Sequence, residues 1–101
     1  MILVTVQYAA GSDFDLDYYL KKHIPLVKER WTPLGLRSAQ VIQQIAKLDG
    51  RPPDFQVAAL LTFESRDDFN AAGKAYGKEI MADIANFTRA RASVQINKLL
   101  T

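Results

Sequence analysis

The chain has 101 residues, 49% of them hydrophobic, 24% charged and 10% aromatic, with 13 Lys and Arg against 11 Asp and Glu and no cysteine. That length predicts one domain, residues 1–101, with a single packed core, and the near-average composition excludes collagen, coiled coil and intrinsic disorder. The lack of cysteine excludes disulfide scaffolds, thiolate metal sites and cysteine nucleophiles, and no apolar run approaches the roughly 18 residues of a membrane span.

Residues 2–8 alternate, with Ile2, Val4, Val6 and Tyr8 on one side and Leu3, Thr5 and Gln7 on the other, which predicts a strand. After the loop Ala9–Asp13, either Asp13 or Asp15 can cap a helix. Leu16, Tyr19, Leu20, His23, Ile24 and Val27 then recur at helical spacing. Pro25 has no N–H for the carbonyl of Lys21 and disfavours helical geometry at Ile24. The expectation is therefore a helix ending near His23 and a shorter one starting at Pro25. Pro33 and Gly35 mark a turn, residues 36–48 read as a long strand, and the loop signal Asp49-Gly50-Arg51-Pro52-Pro53 leads into an antiparallel strand over 55–64. This last strand is the most apolar and is expected at the centre of the sheet. Ser65 followed by Asp68 resembles a capping box that opens a second helix, with Phe69, Ala72, Tyr76, Ile80 and Ile84 as its inner stripe. Asn86 is the expected stop, and residues 91–99 form the last strand.

The order strand, helix, strand, strand, helix, strand predicts an α+β fold of ferredoxin-like βαββαβ type: a four-stranded antiparallel sheet with two helices on one face. The other face should then be polar. Leu3, Ala58 and Leu60 fall there among Thr5, Gln7, Gln56 and Thr62, a mixture most simply covered by a second copy in a homodimer. A monomer with a modest apolar patch is the plainer alternative.

Positive charge is dispersed: Lys21, Lys22, Lys28 and Arg30 alternate with Asp15, Asp17 and Glu29, and the net charge is only +2. This argues against a nucleic-acid partner. Met1–Val4 lacks the basic start and cleavage site of a signal peptide, so the expected setting is cytoplasmic, without a membrane partner.

The only histidine, His23, shares the phase of Leu16, Tyr19 and Leu20 and should face the sheet, where an imidazole can exchange a proton near neutrality. A hydrogen-bonded histidine at the core edge is the plainer reading. Asp15, Tyr18, Tyr19 and Trp31 lie nearby in sequence and can line a pocket with a few polar handles, or simply pack. Phe63, Tyr76 and Phe87 read first as core and second as pocket wall. Gly73 and Gly77 each cost about 1 kcal/mol in a helix interior. Either another backbone approaches there or they leave room for a ligand, and close packing is the simpler account. One histidine without cysteine cannot assemble a usual zinc site, and no glycine-rich phosphate loop or RNA-binding aromatic signature is present. No metal or cofactor is expected. Asn86-Phe87-Thr88 matches a glycosylation sequon, which is incidental without a secretory signal.

The run Phe14-Asp15-Leu16-Asp17-Tyr18-Tyr19-Leu20-Lys21-Lys22-His23-Ile24-Pro25-Leu26 resembles the signature of EthD-domain proteins, in which a tyrosine pair precedes a His-x-Pro-Leu segment. The resemblance implies a dimeric α+β barrel built from two ferredoxin-like protomers. It places His23 at the family histidine, Tyr18 and Tyr19 at its tyrosine pair, Asp15 at its acid and Pro25 at its proline. It also implies a cofactor-independent enzyme of oxidoreductase or monooxygenase type, or of dehydratase or isomerase type, acting on a small apolar or aromatic molecule. In that reading His23 shuttles a proton as general acid or base, and Tyr19, or failing it Tyr18, hydrogen-bonds a substrate oxygen. Asp15 orients one of these groups or only caps the helix, and Tyr18, Trp31, Phe63, Tyr76 and Phe87 hold the substrate. The rival reading is a non-catalytic ligand-binding or accessory protein of a degradation or oxygenase system, and a third is a purely structural dimerisation module.

Overall fold

The computed structural model describes residues 1–101. Its sheet follows from the alternating segments: β1 (Ile2–Ala9), β2 (Leu36–Gln43), β3 (Phe55–Phe63) and β4 (Ala92–Lys98), in spatial order β2-β3-β1-β4. All neighbours are antiparallel, the ferredoxin-like arrangement. β3 lies inside the sheet between β2 and β1, as its apolar composition requires. β2 stops at Gln43 rather than running to residue 48; Ile45 and Leu48 stand exposed in the following loop.

The first helix departs from expectation at Pro25. It opens as an α-turn at Leu16–Tyr18, widens into a π-helical turn at Tyr19–His23, and continues as α-helix through Ile24–Trp31; these three pieces together are α1. No break occurs. Proline removes one N–H and crowds the preceding turn, and the chain accommodates this by letting the Ile24 N–H reach back five residues to the Tyr19 carbonyl. His23 therefore sits in the middle of a continuous helix, held by turns on both sides. A 3-10 turn at Thr32–Leu34 ends on Gly35, whose φ of 110° and closeness to the Asp68 side chain (2.7 Å from an added Cβ) leave room for glycine alone.

α2 (Arg66–Asp83) begins with Ser65 accepting from the Asp68 N–H, the cap read from the sequence, and passes into a 3-10 turn at Ile84–Asn86. Ala72 and Ile80 are its buried residues. Tyr76, expected on the inner stripe, is 38% exposed and lies beneath Arg30 instead. Both helices cover the face carrying Val4, Tyr8, Val57, Ala59, Leu61 and Phe63, the heart of the core. On the opposite face Leu3, Leu60 and the exposed Ile42 mix with Thr5, Gln7 and Gln40, and no element of this chain covers them. No helix is long and apolar enough to cross a membrane.

Candidate active site

The start of α1 and the end of α2 are tied together by backbone. Asp15 N–H donates to the Phe87 carbonyl at 2.8 Å, Thr88 Oγ1 donates to the Asp13 carbonyl at 2.7 Å, and Phe14 bridges Thr88. This brings residues some sixty positions apart into one cluster. His23 Nδ1 lies 2.9 Å from Asp83 Oδ2. The other carboxylate oxygen accepts from the Tyr18 hydroxyl at 2.6 Å and from Asn86 Nδ2 at 2.9 Å. With Asp83 ionised, Nδ1 carries the proton and donates it, which leaves Nε2 as the basic nitrogen. His23 is 4% exposed and borders a cavity, and Nε2 has no partner in the protein.

The electrostatics reinforce that assignment. Burial lowers the His23 pKa below 6.5, and the Asp83 carboxylate opposes this without cancelling it. Burial alone would raise Asp83, but hydrogen bonds from Tyr18, Asn86 and His23 outweigh it and hold the carboxyl below its ordinary value. The pair is thus a neutral imidazole on an ionised carboxylate, the state in which a histidine accepts a proton.

The imidazole is also fixed by packing. The Tyr19 ring stacks on it with centroids 5.5 Å apart and planes at 16°, and Phe87 leans on it at 4.6 Å. Tyr8 packs edge-on against the same two rings, at 5.7 and 5.6 Å. The hydroxyls of Tyr8 and Tyr19 are neighbours, and burial pushes both pKa values far above 10, so both stay protonated. Tyr19 is fully buried, and its hydroxyl is the one buried side-chain polar atom with no hydrogen-bond partner.

The cavity beside His23 has a volume of about 220 Å³ and lies between α1, α2 and the sheet. Apart from the His23, Tyr8 and Tyr19 end, its walls are apolar, formed by Val27, Trp31, Leu61, Phe69 and Ile80 among others. Cavities of about 150 Å³ with such walls stay dry and take up benzene, so this one has room for a substituted single ring. Gly73 and Gly77 line it, and a Cβ built on either would meet nothing within 4 Å. The close-packing account of these two glycines is therefore replaced: they widen the cavity. Met81 and Val94, 51% and 45% exposed, are the most open of its lining residues and mark the mouth.

The residues singled out in the sequence divide clearly. Tyr19 and Trp31 border the cavity with His23, and Trp31 spends its indole N–H on the Ala72 carbonyl at 2.9 Å. Asp15 does not reach it: its carboxylate accepts the Tyr18 N–H at 3.0 Å and caps α1. Tyr18 points to Asp83 rather than into the cavity, Phe63 packs against Trp31 and Phe69, Tyr76 is on the outer surface, and Phe87 braces His23 from behind. Sequence reasoning missed Asp83, Asn86 and Tyr8. One signal was available for Asp83, since an acid in the last turn of a helix opposes the helix dipole. No group of three or more metal-ligating side chains converges anywhere in the fold.

The EthD domain model matches residues 11–90. The chain belongs to the EthD family. An EthD-like protein from Ralstonia eutropha JMP134 superposes with a TM-score of 0.90 at 33% identity, covering 99% of this chain and 92% of that one. An ethyl tert-butyl ether d family protein from Bacillus halodurans C-125 superposes with a TM-score of 0.74 at 19% identity, covering 99% of each chain, a likeness of fold. A Rhodococcus erythropolis protein of 11.0 kDa, from the thcB-thcC intergenic region, is 37% identical over 94 residues, 86% of this chain and 84% of its own length.

Proposed function

We propose that this EthD protein is an enzyme that moves a proton at a small apolar molecule held in the cavity, with His23 Nε2 as the base and Asp83 as its positioning residue. The observation that carries this reading is the 2.9 Å contact between His23 Nδ1 and Asp83 at the wall of an otherwise apolar chamber. A buried histidine of any role pairs its N–H; what suits this one to act as a base is that Asp83 fixes the tautomer while Nε2 is left without a protein partner beside the cavity. A developing imidazolium is stabilised by the carboxylate behind it, and the apolar walls exclude competing water. Once a carbanion or phenolate is formed, protonation elsewhere gives an isomerisation. Expulsion of a β-hydroxyl, which takes the proton back from the His23 imidazolium and leaves as water, gives a dehydration. Electron transfer from the anion to dioxygen as co-substrate, with one oxygen atom kept and the other released as water, gives a monooxygenation. The proton step is common to all three. The working unit in this reading is a homodimer in the cytoplasm, formed by pairing the uncovered sheet face around Leu3, Leu60 and Ile42 with its copy. Size-exclusion with light scattering tests the dimer, and a monomer at micromolar concentration refutes it.

The proton step is tested by following deuterium uptake at the α-carbon of propiophenone in D₂O. Wild-type protein accelerates the exchange, and His23→Gln lowers it by about 10²–10⁴-fold. Saturable binding of the ketone without any acceleration rejects the enzyme and leaves the ligand-binding accessory protein.

A further inference from the structure

The cavity is polar at one end only. His23 and Tyr8 share that end, because Tyr19 and Phe87 each touch both rings. Trp31 lies eight residues further along α1, about 12 Å at 1.5 Å per residue, and faces Phe69 across a 6.2 Å edge-to-face contact. Trp31 has already committed its N–H to Ala72, so nothing at that end seeks a hydrogen bond. Between the two ends the wall includes the bare backbone of Gly73 and Gly77. At the polar end the Tyr19 hydroxyl is buried with no partner. Such a group ordinarily has one.

We infer that the ligand is a compact head-and-tail molecule: one oxygen-bearing head, a phenol or enolisable ketone, seated between His23 and Tyr8, and a short linear apolar tail running past Gly73 and Gly77 toward Trp31. This rests on the proposed function for the role of His23 and goes beyond it in naming the substrate class and the residue that recognises the oxygen. The head oxygen accepts from the Tyr8 hydroxyl. Tyr19 then donates to the Tyr8 oxygen, so ligand binding completes a two-hydroxyl chain that the empty protein leaves open. The acidic proton of the head, on oxygen or on the adjacent carbon, faces His23 Nε2. The volume fits a ring plus two or three further carbons.

Calorimetric titration of wild-type protein with phenol, 4-ethylphenol and 4-propylphenol tests this without requiring turnover. Affinity rises about fourfold for each added methylene. Propylbenzene, which lacks the oxygen, binds at least tenfold more weakly than 4-propylphenol, and Tyr8→Phe abolishes that difference while still binding propylbenzene. Tyr19→Phe keeps the fold and raises its thermal midpoint, because it removes a buried hydroxyl that has no partner in the empty protein, yet weakens 4-propylphenol. Equal affinity for propylbenzene and 4-propylphenol, a flat response to tail length, or full retention of the oxygen preference in Tyr8→Phe overturns the inference. The same titration on His23→Gln separates the two readings: tail dependence and Tyr8 dependence that persist there stand even if deuterium exchange fails in the wild type.

Discussion

Replacing Gly77 by alanine sets stability against capacity. Both Gly73 and Gly77 lie inside α2, and an ideal Cβ on either meets no atom within 4 Å. The methyl therefore clashes with nothing in the empty protein, and the helix gains the full propensity difference of about 1 kcal/mol per site. For a chain of 101 residues, an unfolding entropy of about 2.1 cal/mol/K per residue gives about 0.2 kcal/mol/K, so each substitution raises the melting temperature by about 5 °C and the pair by about 10 °C. The cavity shrinks by roughly a methylene per site, which lowers the affinity for a space-filling ligand such as 4-propylphenol by about fourfold each, while phenol itself is little affected. Thermal unfolding by circular dichroism, with calorimetric titration of both ligands, measures both sides. A drop in melting temperature shows that a neighbouring group packs on these glycines, and unchanged 4-propylphenol affinity shows that the ligand does not pass them; either result refutes the reasoning.

Asp83→Asn removes the charge that holds the His23 proton on Nδ1, so proton-transfer activity falls by 10²-fold or more while 4-propylphenol still binds; retained exchange activity refutes the positioning role. Stability should fall on acidification. The folded pKa of His23 lies below its unfolded value of 6.5, and that of Asp83 lies below 3.8, so in both windows the unfolded chain binds protons first and stability is lost as pH drops. Denaturant midpoints followed downward from neutrality show a decline starting near pH 6.5, and His23→Gln removes that first segment. Asp15→Ala costs about 1 kcal/mol as a lost helix cap and leaves deuterium exchange per folded molecule unchanged; a large loss of exchange returns Asp15 to the site.

The strands, both helices and the Ser65 cap were legible because each rests on local periodicity or a side chain reaching three residues along the chain. His23 and Tyr19 were legible for the same reason, sharing the inner phase of α1. The π-turn was not, since a proline in helical phase signals a break equally well, and only the tertiary contacts of α1 decide that the helix continues. Asp83 and Asn86 were invisible as partners of His23 and Tyr18 because the separations of 60 and 68 residues are closed by the Phe14–Thr88 bridge, a contact of loops rather than of patterned elements. Tyr8 read as one more inward strand residue. Tyr76 was misplaced because it lies one position from Gly77 on α2, and the inner face there is left empty by glycine instead of being filled by an aromatic ring.

The presence of one histidine makes the imidazole ¹⁵N spectrum the most direct measurement of a neutral, Asp83-anchored base that offers Nε2 to the cavity. The spectrum is predicted to show the Nδ1–H tautomer at pH 7, with the protonation midpoint below 6.5, and a shift of Nε2 alone as 4-propylphenol is added. An Nε2–H tautomer, a charged ring at neutrality, or saturation with ligand that leaves Nε2 unmoved contradicts the account.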